Sequence, residues 1–108
     1  MDTFPQDARE YAKDVELPPR KQRGWVHEVE VPMGAGEDLE YETEHDEPGD
    51  RVQFNIHSHQ GAEVSYYAKS AESRASGSFS APWDGKFYLM WENVSDDPIR
   101  VRVRAARR

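Results

Sequence analysis

Between Trp25 and Val103 the apolar residues recur at every second position in short runs, and each run ends at a cluster of Pro, Gly, Asn or Asp. A chain with a period of two presents one face to a core and one to solvent only when extended, so this pattern calls for strands. Trp25, His27, Val29 and Val31 alternate with Val26, Glu28 and Glu30; Leu39, Tyr41 and Thr43 with Glu40, Glu42 and Glu44; Val52, Phe54 and Ile56 with Arg51, Gln53 and Asn55. A fourth strand is expected over 63–68, with Val64 and Tyr66 facing inward. A fifth follows through Phe79, a sixth through Phe87, Leu89 and Trp91, and a last through Ile99, Val101 and Val103. Segments 58–62 and 69–76 are expected to be loops. No helix of crossover length separates these runs, so parallel βαβ pairing is excluded and the strands must be mostly antiparallel. The expected fold is an all-β, antiparallel β-sandwich of jelly-roll type with about seven to eight strands.

Residues 1–23 read as an N-terminal arm. Ala8, Tyr11, Ala12 and Val15 fall at helical spacing, which predicts a short helix over 7–15 that Pro18-Pro19 would end. The sandwich is expected over 24–105, with 106–108 as a basic tail.

Composition narrows the function. The 108 residues hold no cysteine, which excludes disulfides, thiolate catalysis and cysteine-ligated zinc. A net charge of −7 argues against nucleic acid, which demands a clustered basic face. No apolar run is long enough to span a bilayer. The start, Met1-Asp2-Thr3-Phe4-Pro5, has neither a cationic nor an apolar stretch, so no signal peptide is expected; the compartment stays open, with the cytoplasm favoured. Acids concentrate over 37–50 and arginines over 100–108, an asymmetry that would let the strand around Arg102 neutralise the strand around Glu42, within one sheet or across a dimer.

The second half resembles a known family. Gly77-Ser78-Phe79-Ser80-Ala81-Pro82-Trp83-Asp84-Gly85, then 87–93, a closing Val101-Arg102-Val103 and the preceding Val52-Gln53-Phe54-Asn55-Ile56-His57 are similar to the GOLD (Golgi dynamics) domain. The likeness covers about residues 25–104. It implies a β-sandwich that serves protein–protein recognition and has no catalytic residues. The chain lacks the paired cysteines, coiled coil and membrane helix of the eukaryotic cargo receptors, which places the likeness with prokaryotic-type relatives.

Three functions follow as expectations. The first is a non-catalytic protein-binding or self-assembly module, with a protein partner or a second copy meeting a surface that carries Tyr67, Trp83 and Tyr88, where Tyr67 and Tyr88 share a solvent-facing side. Trp83 is either an anchor for that partner or a lid over the open end of the sandwich. The second is a divalent-metal site. His57 and His59, two apart in extended chain, project to one side and can share zinc or copper, with Glu63 as a third ligand. The third is carbohydrate binding on exposed tyrosine rings. Enzymatic readings lack support: there is no nucleophile elbow, and Gly34-Ala35-Gly36 is not followed by the lysine of a phosphate loop. No cofactor is expected beyond the candidate metal.

Overall fold

The structure, a computed structural model, describes residues 2–108. Nine strands follow in chain order: β1 (Asp2–Thr3), β2 (Glu10–Leu17), β3 (Val26–Met33), β4 (Asp38–His45), β5 (Val52–Gln60), β6 (Glu63–Ser70), β7 (Arg74–Ser80), β8 (Gly85–Asn93) and β9 (Ile99–Arg107). They form a five-stranded sheet in the order β1-β3-β8-β5-β6 and a four-stranded sheet in the order β2-β9-β4-β7. All pairings are antiparallel except that of the two-residue β1 with β3. The molecule is an all-β sandwich.

The core is built by the alternation seen in the sequence. Val29, Val31, Phe87, Leu89 and Ile56 from the first sheet meet Leu17, Leu39, Val101 and Val103 from the second, all almost fully buried. Trp91 spans the gap: its ring lies 5.3 Å from that of Phe54, and its Nε1 donates to Thr43 Oγ1 at 2.8 Å, joining the two sheets by one hydrogen bond.

Two expectations about the termini are corrected. The predicted helix over 7–15 is absent, and Glu10–Leu17 is a strand paired residue for residue with β9 from Glu10↔Ala106 to Leu17↔Ile99. The segment carries both periods at once: Tyr11, Lys13, Val15 and Leu17 alternate as well as Ala8, Tyr11, Ala12 and Val15 step helically. Eight residues are too few to hold a helix alone, and the free edge of β9 supplies a full ladder instead. The basic tail is also corrected, because β9 runs to Arg107 and that side chain is 5% exposed. Its Nη1 donates to Pro32 O at 2.6 Å and its Nη2 to Pro5 O at 2.7 Å, while the guanidinium covers the Phe4 ring at 4.5 Å. One cation thus ties both ends of the chain to the end of β3.

The expected loop over 58–62 is mostly strand. β5 continues to Gln60, and Gly61, with φ of 62°, turns the chain directly into β6. Segment 69–76 likewise shrinks to the link between Ser70 and Arg74.

The acidic and basic strands neutralise each other within one sheet. β4 and β9 are neighbours in the register Glu42↔Arg104 and Glu44↔Arg102. Arg102 contacts Glu44 at 3.0 Å and Asp46 at 2.9 Å, and Arg108 contacts Glu40 at 3.1 Å. Hydrogen bonds from Arg102 hold the carboxyls of Glu44 and Asp46 below the usual range.

Candidate functional site

The outer face of the five-stranded sheet differs from the charged outer face of its partner. Adjacent strands set Tyr66 opposite His57, His57 opposite Tyr88, and Tyr88 opposite Glu30, so one row crosses β6, β5, β8 and β3. The next row pairs His59 with Val64. The rings touch: His57 stacks on Tyr88 at 5.3 Å and 21°, His59 meets His57 edge-on at 5.0 Å, and Tyr66 lies 5.9 Å from His57. Tyr88 OH donates to Glu30 Oε1 at 3.4 Å. Lys69 Nζ sits 4.2 Å above the Tyr66 ring, a cation held on an aromatic face.

Val64 and Tyr66, expected inside, are the exposed large apolar side chains among the described residues, at 42% and 51%. The reason is a β-bulge. Ile56 pairs with Ala68 but His57 with Tyr66, so Tyr67 is an extra residue and the phase of β6 slips there. Tyr67 therefore turns inward, its OH 2.7 Å from Ser58 Oγ and its ring 4.8 Å from Phe79. Tyr67 and Tyr88 do not share a surface, which corrects that expectation. Trp83 is partly buried and packs on Phe87 at 6.1 Å and Tyr67 at 6.5 Å, so it covers one end of the core with them. Of the three surface residues expected, only Tyr88 lies on the aromatic face.

His57 lies on the outer side of its sheet, as its phase suggests, yet it is 4% exposed because Tyr66, Tyr88 and His59 enclose it. Its Nδ1 is 2.7 Å from Asn55 Oδ1 and its Nε2 is 3.3 Å from Glu28 Oε2. Both ring nitrogens thus face protein partners. His57 and His59 are adjacent as expected, but Glu63 stands at the hairpin end of β6, and no group of three or more His, Cys, Asp or Glu side chains among the described residues is placed to hold a metal ion. A zinc or copper ion would have to take His57 from Asn55 or Glu28.

Three of the four histidines are held in surroundings that disfavour their charge. Burial lowers the pKa of His27, His45 and His57 from the ordinary 6.5; Lys13 adds to this at His27, while Glu28 opposes it at His57. His27 Nε2 and His45 Nε2 are buried with no hydrogen-bond partner. Because each ring binds a proton more weakly folded than unfolded, its contribution to stability is complete above pH 6.5 and is lost as pH falls below it. Each ring can contribute up to about 1.4 kcal/mol per pH unit in that window. Urea midpoints measured from neutral to mildly acidic pH are expected to fall steadily, and His45→Gln is expected to flatten the slope.

No family model matches the sequence, and a search of curated proteins finds no match. Solved structures do match in shape. The pre-peptidase C-terminal domain of a collagenase from Bacillus anthracis superposes with a TM-score of 0.70 at 10% identity, covering 96% of this chain and 92% of that one. PliG of Aeromonas hydrophila, a periplasmic inhibitor of g-type lysozyme, gives 0.63 at 10% identity, covering 99% and 96%. At such identities the likeness is one of fold, and it makes the chain a small all-β sandwich domain over nearly its whole length.

Proposed function

We propose that the chain is a non-catalytic module that binds a protein, another chain or a second copy of itself, through the outer face of the five-stranded sheet. The observation that carries this reading is the placement of Val64 and Tyr66: large, exposed and apolar, on one face with a contiguous cluster of tyrosine and histidine rings. An aromatic centre with a charged rim, here Glu30, Lys69 and Lys86, is the composition of a protein contact. PliG, an inhibitor of a lysozyme, is a sandwich of similar shape that acts on a protein, which adds support. The GOLD-like type belongs to the same proposal, resting on the order and spacing of the segments from Val52 to Val103.

The site commits to Tyr66, Val64, His57, His59 and Tyr88. Tyr67 and Trp83 support it from the core side. The test is capture of a partner by the wild-type chain, identification of that partner, and direct titration of the purified pair. Tyr66→Lys is expected to weaken the titrated affinity at least about tenfold, the cost of losing one aromatic anchor, while Tm stays near wild type. An unchanged affinity would remove this face from the binding surface.

A further inference from the structure

Beside the aromatic cluster the five-stranded sheet carries a depression of about 380 Å³, the size of a small-ligand cleft. Gln53 and Asn55 of β5, Met90 and Glu92 of β8, and Tyr66 and Lys69 of β6 line it. Strand register explains why they converge. Asn55 lies between Met90 and Lys69, and Gln53 lies beside Glu92 two residues along, on the same side of the sheet.

Three of these groups lack the partners that their surroundings call for. Asn55 is 9% exposed, and its Oδ1 lies 2.7 Å from His57 Nδ1, which leaves its Nδ2 without a hydrogen bond among the described residues. That nitrogen is not one of the buried atoms cut off from solvent, so the donor stays open to the depression. The other two are charges. On this face Glu28 meets His57 at 3.3 Å and Glu30 meets Lys86 at 3.9 Å. Glu92, half-buried between Gln53 and Val26, and Lys69 make no ion pair among the described residues. Lys69 Nζ rests instead over the Tyr66 ring at 4.2 Å.

A carboxylate on one side, and an ammonium with a fixed amide donor on the other, are complementary to a molecule with a charge at each end. β8 and β6 flank β5, so their side chains start about 10 Å apart. Three extended residues span about that length. We propose that the depression binds a short free peptide, its carboxylate at Lys69 and Asn55 and its ammonium at Glu92, with an apolar side chain over Met90. A simple anion would face Glu92, and a simple cation would face Lys69. A sugar would leave both charges unmet, and its stacking place on Tyr66 is taken by Lys69. This inference goes beyond the protein contact proposed above and shares only Tyr66 with it.

The test is titration of the isotope-labelled full chain with trialanine, read from amide NMR signals. The side-chain amides of Asn55 and Gln53 are expected to shift and saturate with a Kd on the order of 1 mM. N-acetyl-trialanine and trialanine amide, each lacking one terminal charge, are expected to bind at least about fivefold more weakly. In Glu92→Gln acetylation should cease to matter, and in Lys69→Met amidation should cease to matter. That crossed pattern assigns each charge to its end of the peptide, which a merely structural role would not do. Absence of saturating shifts at Asn55 and Gln53, or equal binding of all three peptides, overturns the inference. Saturation by cellobiose without any by trialanine also overturns it and makes the depression a sugar site. If trialanine fails yet a purified protein partner is lost with Tyr66→Lys, the proposed function stands and this inference falls.

Discussion

Asn93→Asp is expected to cost about 4 kcal/mol or more at neutral pH, a large part of the stability of a domain this size. Asn93 is fully buried at the end of β8, where it organises three stretches of backbone. Its Nδ2 donates to the carbonyls of Leu17 at 3.1 Å, Pro18 at 2.9 Å and Asp97 at 2.8 Å. Its Oδ1 accepts from Ser95 N at 2.9 Å and from Ser95 Oγ at 2.7 Å. A carboxylate in this place keeps the acceptor side but turns a second oxygen on three carbonyl oxygens, with no water to screen the repulsion. The buried carboxyl would have a raised pKa, so the variant's deficit is greatest above that value and narrows as acid neutralises the group. Asn93→Leu removes the repulsion but takes the Nδ2 donor from the Leu17 and Pro18 carbonyls and the acceptor from Ser95 N, while Ser95 Oγ still donates to Asp97 O, for about 3 kcal/mol. Urea unfolding of both variants at several pH values checks the order and the pH dependence: only the Asp variant's deficit should change strongly with acid.

Arg107→Ala is the second large effect, about 3 kcal/mol, or a fall in Tm of about 15 °C for a domain of this length. The guanidinium, near the C-terminal end of the chain, donates to the carbonyls of Pro5 near the start and Pro32 at the end of β3 and covers Phe4, with Glu37 at 3.9 Å as a counter-charge. Removing it takes the side-chain donor from Pro32 O, leaves Pro5 O with only the Ala8 N–H at 3.1 Å, and opens a void beside Phe4, which is fully buried. Arg107→Lys reaches one carbonyl at a time and should recover less than half of the loss. Calorimetric melting decides this, and a loss under about 1 kcal/mol, the scale of an exposed arginine, would show that the contact holds nothing.

Both positions show where sequence reading stops. Most of the strands from β3 to β9 are legible because one face is buried and the other wet, and alternation reports that contrast directly; β5, buried on both faces over 54–58, and β6, whose phase slips at the bulge, depart from it. Arg107 continues the same inward phase as Val101, Val103 and Ala105, yet its charge and its place near the end of the chain suggest a solvated tail. Its burial depends on Pro5 and Pro32, which the fold alone brings within reach. At β2 the residues satisfy two periods, and pairing with β9 chooses between them. The candidate face was half legible: the phase of Tyr88 and of the two histidines is right, but Tyr66 and Tyr67 are neighbours of one type. Only the bulge, a property of the pairing with β5, decides which of them meets solvent. The charge complementarity of β4 and β9 was visible in composition, and the sheet order settles it as a contact within one molecule.

The central claim is that the face around Tyr66, and not the charged face of the other sheet, meets a protein partner. Site-specific photo-crosslinking tests it most directly, with the photoreactive residue placed in separate variants at Tyr66, at Tyr88 and, on the opposite sheet, at Ala12. The account predicts one discrete protein adduct, of a second copy or of a single other chain, from the first two positions and none from Ala12. Adducts from Ala12 alone, or equally from all three, would contradict it.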